Sequence, residues 1–592
     1  MNASQSILHQ HCIAKADRLL NDASAAPNES LQGFTLLNPH LALLDIGNTI
    51  IRRDYAEIEQ VKLLSGGCSG HEPLYSGFVG NGFLTAAVHG ELFSAPSAYH
   101  IYNIVKELAY QQDTGILIII QNNSGDTLNF GLAAEKALNE GIKVKLLIVS
   151  DDCSGCELIS NSKTSDQPQG LSGVILVQKI AAAMAEEKEN SYLEIYKYCD
   201  ELQRDLATVM VTMRASTAPD EDECVCVKNT KNYEVEFGGG LHGEGGFKTM
   251  VMTTTKAIVA EMLNELRKKV VLDDASDYVL MMNNMCVSKL EETVFLAEVV
   301  KSFLNNNVRI LRIYNGCFMS SMNMKALSLT ILKCDELRLK YLDYPTDAAE
   351  WRVGRFVGML ETPIKPRVRV LRNPRLVNKG PKLIPRESNV LLLVLQFACD
   401  ALISCERQLN IIDGECGDGD TGTRIKVVCE DILDGLRLKQ IDLENVYVFF
   451  KTLSRIAERI GASLGAIYAI LFEAAANTVG ELETGSPMES PIWISCLSNA
   501  VSKLKSHTKT VDATNNMLVP LVACLMTIEE TLEQQEEPAN RLLEAFGLGV
   551  AAAEEAAQRT RLINRKFPDS GAHAVGIWMR ACFEGVKLRC EY

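Results

Sequence analysis

Between Thr114 and Gln121 the chain reads Thr-Gly-Ile-Leu-Ile-Ile-Ile-Gln, an apolar run with no polar alternation. Such a run, bounded by a Gly and followed by a polar loop, fits a buried strand rather than one facing water. The loop is Asn122-Asn-Ser-Gly-Asp-Thr-Leu-Asn-Phe-Gly131; a helix is expected over Leu132–Asn139 and a second strand over Lys143–Val149. Strand, helix and strand in this order make a βαβ unit, whose strands run parallel beneath a right-handed crossover. An earlier apolar run, Val61-Lys-Leu-Leu, leads into Ser65-Gly-Gly-Cys-Ser-Gly-His-Glu-Pro73. Ligands of parallel sheets bind at the carboxyl ends of strands. Both polar loops would lie there, so His71 and Asp126 become candidates for one shared pocket. The glycine spacing matches neither the dinucleotide pattern GxGxxG nor a phosphate loop ending in Gly-Lys-Ser/Thr.

The rest of the first part continues the α/β alternation. Residues 1 to about 60 mix helical periodicity (His9–Leu20) with short apolar pieces such as Leu41–Leu44. Tyr75–Gly90 reads as loop plus helix, and residues 172–210 as a strand (Ser172–Val177) followed by long helices. Then Glu236-Phe-Gly-Gly-Gly-Leu-His-Gly-Glu-Gly-Gly246 sets one His among glycines. Two readings stand side by side: a surface turn, or a His242 held against a ligand by backbone that only Gly adopts. Helix (Thr253–Leu266), strand (Tyr278–Asn283), helix (Ser288–Ser302) and strand (Val308–Ile313) follow as a second α/β half. Ser320–Met324 fits a turn and Leu327–Thr330 a further strand.

Composition shifts near Thr346. Residues 363–387 are rich in Pro, Arg and Lys and read as a linker. From Asn389 the pattern is nearly all helix, over 389–409, 424–438, 443–460, 462–478, 489–505, 513–531, 540–560 and 571–587, which implies a helical bundle or barrel. Between the first two helices lies Asn410-Ile-Ile-Asp-Gly-Glu-Cys-Gly-Asp-Gly-Asp-Thr-Gly-Thr-Arg424. Its carboxylates, Asp413, Asp418 and Asp420, repel one another unless a cation sits among them. Hard oxygen ligands suit Mg²⁺ bound together with substrate phosphates. A solvated turn is the plainer alternative; a calcium loop is a third, against which Arg424 stands where the EF-hand pattern needs its twelfth-position Glu.

A chain of 592 residues implies about three or four domain-sized units. The expected boundaries are an α/β part over 1–345 in two halves with a break near 185–230, a linker over 346–388, and a helical part over 389–592. A net charge of −16 argues against a nucleic-acid partner, which needs Lys and Arg on its surface. The N-terminus lacks a signal-peptide pattern, and no apolar run approaches the roughly 18 residues that span a bilayer. A cytoplasmic location and no membrane partner are therefore expected. The 18 Cys read as reduced, packed thiols; Cys153-Ser-Gly-Cys156 has CxxC spacing without a second pair at zinc-ribbon distance.

Taken together, Ser65–Pro73, Asn122–Gly131, Gly240-Leu-His-Gly-Glu-Gly245 and Gly417-Asp-Gly-Asp-Thr-Gly-Thr423 resemble, in order and spacing, the single-chain ATP-dependent dihydroxyacetone kinases, including their animal triokinase/FMN cyclase branch. The resemblance covers nearly the whole chain. It implies a multi-domain fold: an α/β substrate-binding K domain in two halves with parallel or mixed sheets, then an all-α helical-barrel L domain that binds ATP. It implies that His242 bonds covalently to the substrate carbonyl as a hemiaminal, and that His71 and Asp126 help deprotonate the attacking hydroxyl. Cys68, Ser69, Gly70, His71, Gln121 and Asp126 would line the triose pocket. Asp413, Asp418 and Asp420 would hold two Mg²⁺ ions bridging the ATP phosphates. Nucleotide contacts would come from Asp420, Thr421, Gly422, Thr423, Ser463, Leu464, Asn516, Met517, Asp569, Ser570 and Gly571. A homodimer is implied as well.

The chain departs from the family pattern at several positions. Gln121 stands for a Lys, Asn123 for an aromatic and Cys68 for a Gly. Gly461-Ala-Ser-Leu-Gly465 stands for Gly-Gly-Ser-Ser-Gly, Val511-Asp-Ala-Thr-Asn-Asn-Met-Leu518 for a Gly-Asp-Arg-Thr-Met-Leu-Asp segment, and Asp569-Ser-Gly-Ala572 for Asp-Pro-Gly-Ala. The segment before it, Thr560–Pro568, is shortened. The expected function is phosphorylation of dihydroxyacetone by ATP, with glyceraldehyde as a second candidate. One alternative is a lyase at the same nucleotide site, splitting FAD to cyclic FMN with Mn²⁺ as candidate metal. The other is a weakened paralogue with a binding or regulatory role.

Overall fold

The computed structural model describes residues 20–110, 113–154, 168–216, 234–242, 245–251, 253–355, 376–415, 418–459, 462–507, 517–533, 541–561 and 566–590. Two units are resolved, Met1–Ile364 and Lys365–Tyr592. Cys156 of the CxxC pair, nearly all of the His9–Leu20 helix, and Asn516 lie outside the described residues.

The first unit holds two six-stranded sheets. Strands β1 (Leu41–Leu44), β2 (Thr49–Arg52), β3 (Lys62–Ser69), β4 (Ala86–Leu92), β5 (Ile116–Gln121) and β6 (Val144–Val149) pair in the order β1-β2-β4-β3-β5-β6. The inner pairs β4/β3, β3/β5 and β5/β6 are parallel, as the βαβ pattern requires. Every residue of β3 and β5 is buried, which is why neither alternates. Helices α1 (Ala26–Leu37), α2 (Ala98–Ala109) and α3 (Ser124–Asn139) accompany this sheet. Strands β7 (Leu206–Arg214), β8 (Glu234–Phe237), β9 (Lys248–Val251), β10 (Asp277–Met285), β11 (Arg309–Gly316) and β12 (Lys325–Lys333) make the second sheet, ordered β11-β10-β12-β7-β8-β9. Only β10/β11 among its pairs is parallel, so this sheet is mixed.

The structure corrects four readings. Ser172–Val177 is no strand: Gly173–Glu186 forms α4, buried from Gly173 through Ala185. An all-apolar stretch has no period by which strand and helix can be told apart. Residues 206–210, expected within helices, belong to β7, which follows α5 (Tyr192–Leu202). The helix expected in Tyr75–Gly90 is instead a short 3₁₀ turn (Ser76–Phe78) and then β4. Finally, Ser124–Gly131 is the opening of α3 rather than loop, so Asp126 sits in a helical first turn. Helices α6 (Thr255–Lys269), α7 (Lys289–Asn305) and α8 (Glu336–Leu342) complete the unit. Residues after Thr346 still pack on it: Trp351 lies against Phe83 and Tyr314, and Arg355 bridges to Ile313.

The second unit is all helical. Its helices are α9 (Pro385–Ser404), α10 (Glu406–Asp413), α11 (Thr421–Arg437), α12 (Val446–Glu458), α13 (Ala462–Gly480), α14 (Ser490–His507), α15 (Leu518–Glu533), α16 (Arg541–Arg559) and α17 (Ser570–Cys590). From α11 each packs on the next, α17 packs back on α9, and α9 on α11, which closes a barrel. The expected 389–409 helix is two, broken at Cys405. One further expectation is corrected: α9 is long and apolar enough, by length and composition, to cross a membrane. Counting uninterrupted apolar residues missed it because Asn389 and Gln396 interrupt the run while lowering the mean hydropathy little. In the fold this helix lies against α17 and α11.

Candidate functional site

The first unit brings His71, His242 and Cys68 to one point. β3 ends at Ser69, whose hydroxyl donates to the Gly90 carbonyl at 2.7 Å. Gly70 then turns the chain at φ +100°, open only to a residue without Cβ, and delivers His71. Glu72 closes the turn by accepting from the Gly70 N–H at 3.0 Å. His242 arrives from the second sheet, after β8. The carbonyl of its neighbour Leu241 accepts hydroxyls from Ser216, at 2.9 Å, and from Ser321, which pins the glycine-rich turn. His242 Nε2 stands 3.1 Å from His71 Nε2 and 3.2 Å from Cys68 Sγ. Phe93, at φ +54°, packs its ring against both imidazoles, with centroids 5.5 and 5.7 Å away. A non-glycine residue in that conformation costs about 1–3 kcal/mol and persists where the surroundings fix it.

The tautomer of His71 follows from its neighbours. Its Nδ1 lies 3.1 Å from the Ser320 carbonyl oxygen, which can only accept. The ring proton of neutral His71 is thereby assigned to Nδ1, and Nε2 offers its lone pair to His242. Asp126 lies in the first turn of α3 and is 2 % exposed; its Oδ1 has no hydrogen-bond partner. Burial pushes its carboxyl up to about 7, against a smaller downward pull from His242. Burial likewise raises Glu72. The Tyr75 phenol, held protonated by burial, donates to Gln121 Oε1 at 2.9 Å, and Gln121 Nε2 donates to the Leu171 carbonyl at 3.0 Å. The Gln121 amide is thus engaged on both sides within the protein.

In the second unit, Asp413 ends α10 and Asp420 precedes α11. Asp413 Oδ2 accepts backbone N–H groups of Gly419 at 2.9 Å and Asp420 at 3.1 Å, and Oδ1 accepts the Ser570 hydroxyl at 2.8 Å. Burial works to raise Asp413, but these bonds outweigh it and hold the carboxyl below its usual range. One carboxylate oxygen from each of Asp413, Asp418 and Asp420 lies within 4.8 Å of the others. Arg424 meets both oxygens of Asp420 at 2.7 Å and approaches Asp418 at 3.6 Å, and it lowers the Asp420 carboxyl. An all-oxygen, all-anionic donor set beside a helix N-terminus fits a hard cation carrying phosphate.

The remaining expected contacts distribute unevenly. Thr421 lies 3.3 Å from the Ser570 hydroxyl, and Thr423 is tied to Asn410. Gly422 lies against α10, where a Cβ would come within 2.1 Å of the Glu406 carbonyl oxygen. Asp569 caps α17 by accepting from the Ala572 N–H at 2.7 Å. Leu464 packs into the barrel core, and Met517 packs there against Gly571. Ser463 lies in the first turn of α13. Glu415 accepts the Lys566 and Phe567 N–H groups, joining the shortened segment to the aspartate loop. Phe567 and Arg407, with Ile411 and Ile412, line a hollow beside it. Sequence reasoning missed Phe93, Ser320, Arg407 and Phe567. Phe567 falls in the shortened segment and Ser320 in an expected turn, but no pattern singled out the individual residues; each is recruited by tertiary contact.

The chain matches the Dak1 domain over residues 32–350 and the DAK2 domain over residues 415–584. It is 30% identical to the triokinase/FMN cyclase of Homo sapiens over 96% of this chain and 99% of that one. To the dihydroxyacetone kinase of Pichia angusta it is 30% identical over 91% of this chain and 90% of the other. Its fold matches the crystal structure of the dihydroxyacetone kinase from C. freundii in complex with AMP-PNP and Mg²⁺, with a TM-score of 0.66 and 26% identity over 96% and 99% of the two chains.

Proposed function

This chain belongs to the dihydroxyacetone kinase family, and on that premise we propose that it transfers the γ-phosphoryl group of ATP to dihydroxyacetone, with glyceraldehyde as a second triose. The observation that carries the reading is the meeting of half-buried His242 with buried His71, Nε2 to Nε2 at 3.1 Å, under the influence of a carboxyl pushed up to about 7.

The His71 lone pair faces the Nε2 proton of His242. As His242 Nε2 attacks the substrate carbonyl carbon, that proton passes to His71 and then to the carbonyl oxygen, which becomes a hydroxyl. The hemiaminal so formed selects ketones and aldehydes over simple polyols. Asp126, ionised above about 7, accepts the proton of the attacking primary hydroxyl. Asp413, Asp418 and Asp420 would hold Mg²⁺, which when bound supplies charge neutralisation at the phosphates. Arg424 must give up Asp420 for that to happen. The N-terminus of α11, with Thr421 and Thr423, orients phosphate oxygens. Cys68, Ser69 and Gly70 line the triose cleft.

The test is phosphate transfer from Mg-ATP to dihydroxyacetone. His242→Ala should lower kcat/KM by more than about 100-fold and Asp418→Asn should abolish Mg²⁺-dependent transfer. Wild-type protein inactive with every metal tried would overturn the reading. The similarity to a triokinase/FMN cyclase favours a second reading at the same nucleotide site, release of cyclic FMN from FAD with Mn²⁺. That activity should survive His242→Ala. A homodimer belongs to the proposal, and complementation between two inactive variants tests it.

A further inference from the structure

Cys68, His71 and His242 each place one ligand atom within 4.8 Å of the others, and His242 Nε2 stands 3.1 Å from His71 Nε2 and 3.2 Å from Cys68 Sγ. In a tetrahedral zinc site, Zn–N of about 2.0–2.1 Å and Zn–S of about 2.3 Å put neighbouring ligand atoms roughly 3.3–3.6 Å apart. Opening the two short edges by a few tenths of an ångström reaches that spacing. The ligands are a thiol and two imidazoles, the soft-to-borderline set that takes Zn²⁺ and leaves Mg²⁺ aside. The Ser320 carbonyl fixes the proton of His71 on Nδ1, which is the orientation a zinc-bound His receives from its outer partner. Cys68 and His71 are buried on β3 and the turn after it, while the Leu241 carbonyl anchors the third ligand. Cys68 and His71 are therefore held by the sheet and the turn that follows it, and His242 by a turn whose backbone is anchored one residue before it.

We infer that Cys68, His71 and His242 form a Zn²⁺ site, and that zinc there excludes the carbonyl substrate and shuts off phosphoryl transfer. Binding releases the Cys68 thiol proton to water, moves the His242 proton to its other ring nitrogen, and leaves the fourth position to water. Nothing is oxidised or reduced. The site is distinct from the aspartate trio, which offers only oxygen. The inhibitory arm rests on the triose reading of this cleft; the metal-binding arm does not.

The experiment uses the full chain, stripped by chelator and titrated with Co²⁺ alone and then Zn²⁺ alone. One Co²⁺ per chain should bring up a thiolate-to-cobalt charge-transfer band that Zn²⁺ abolishes. Cys68→Ser should remove the band, and His242→Ala should weaken Zn²⁺ binding at least about tenfold. Asp418→Asn should retain the band, and melting curves of each variant report folding. Absence of the band in wild type, or its survival in Cys68→Ser, overturns the site. In the kinase assay, equimolar Zn²⁺ should inhibit and prior dihydroxyacetone should protect; activity indifferent to bound Zn²⁺ overturns the inhibition. A protein that shows the band but never phosphorylates triose keeps the site and refutes the kinase reading, so the two failures are separable.

Discussion

Burial pushes the Asp126 carboxyl up to about 7, and the stability of the fold inherits that shift. An unfolded-chain Asp titrates near 4. Between about 4 and 7 the folded protein therefore holds one proton more at this position, and stability falls as pH rises. Below that window both states are protonated and burial carries no charge penalty; above it the whole penalty is felt. Asp126→Asn should thus raise stability by about 2–4 kcal/mol at pH 8 and by progressively less toward pH 4, measured by chemical denaturation across pH. If Asp126 is the base of the proposed transfer, kcat should rise with pH through an apparent pKa near 7, and that limb should vanish in the Asn variant. Asp126 and His71 were readable as candidates because strand-end loops collect ligand groups. The value near 7 was not, because it depends on the neighbours that cover the carboxyl.

At the scale of elements, β3 and α11 decide how the two sites are presented. Gly66 lies in β3 opposite Val88 of β4, and a Cβ there would come within 2.1 Å of the Val88 carbonyl oxygen. Gly66→Ala should cost more than about 3 kcal/mol by forcing the strands apart, as denaturant unfolding would register. In the first turn of α11, Arg424 acts as a tethered counter-ion to Asp420 and Asp418. Removing it leaves the carboxylates to a free cation. Arg424→Gln should lower melting temperature without metal and bind Mg²⁺ about tenfold more tightly, seen as a larger Mg²⁺-induced rise in melting temperature. The Asp-rich loop was legible as a cation site from its composition, and the arginine's part in it was not. Which charge neutralises a carboxylate is a matter of side-chain reach.

At the scale of the whole molecule, one unit carries the candidate triose site and the other the candidate nucleotide site. If a homodimer works across protomers, two inactive variants can complement. Mixed and reassociated, His242→Ala and Asp418→Asn should recover about a quarter of wild-type activity, since half the dimers are mixed and each holds one intact pair. No recovery, with dimers shown by sedimentation, would place both sites of a working pair in one chain.

The sequence by itself determined the class of each part. The βαβ spacing around Thr114–Val149 pointed to parallel strand pairing, and sustained helical periodicity after the Pro-rich stretch to an all-helical unit, because these patterns are local consequences of backbone geometry. It also determined the chemical types on offer: two histidines, a strand-end Asp and three clustered carboxylates. Only the tertiary structure decided that Gly173–Glu186 is helix rather than strand, since an evenly apolar segment takes its form from what surrounds it. Only the tertiary structure, too, brought His242 from beyond the second sheet's β8 to 3.1 Å from His71 and 3.2 Å from Cys68. Contacts between residues more than 170 positions apart depend on how sheets pack, which no local pattern encodes.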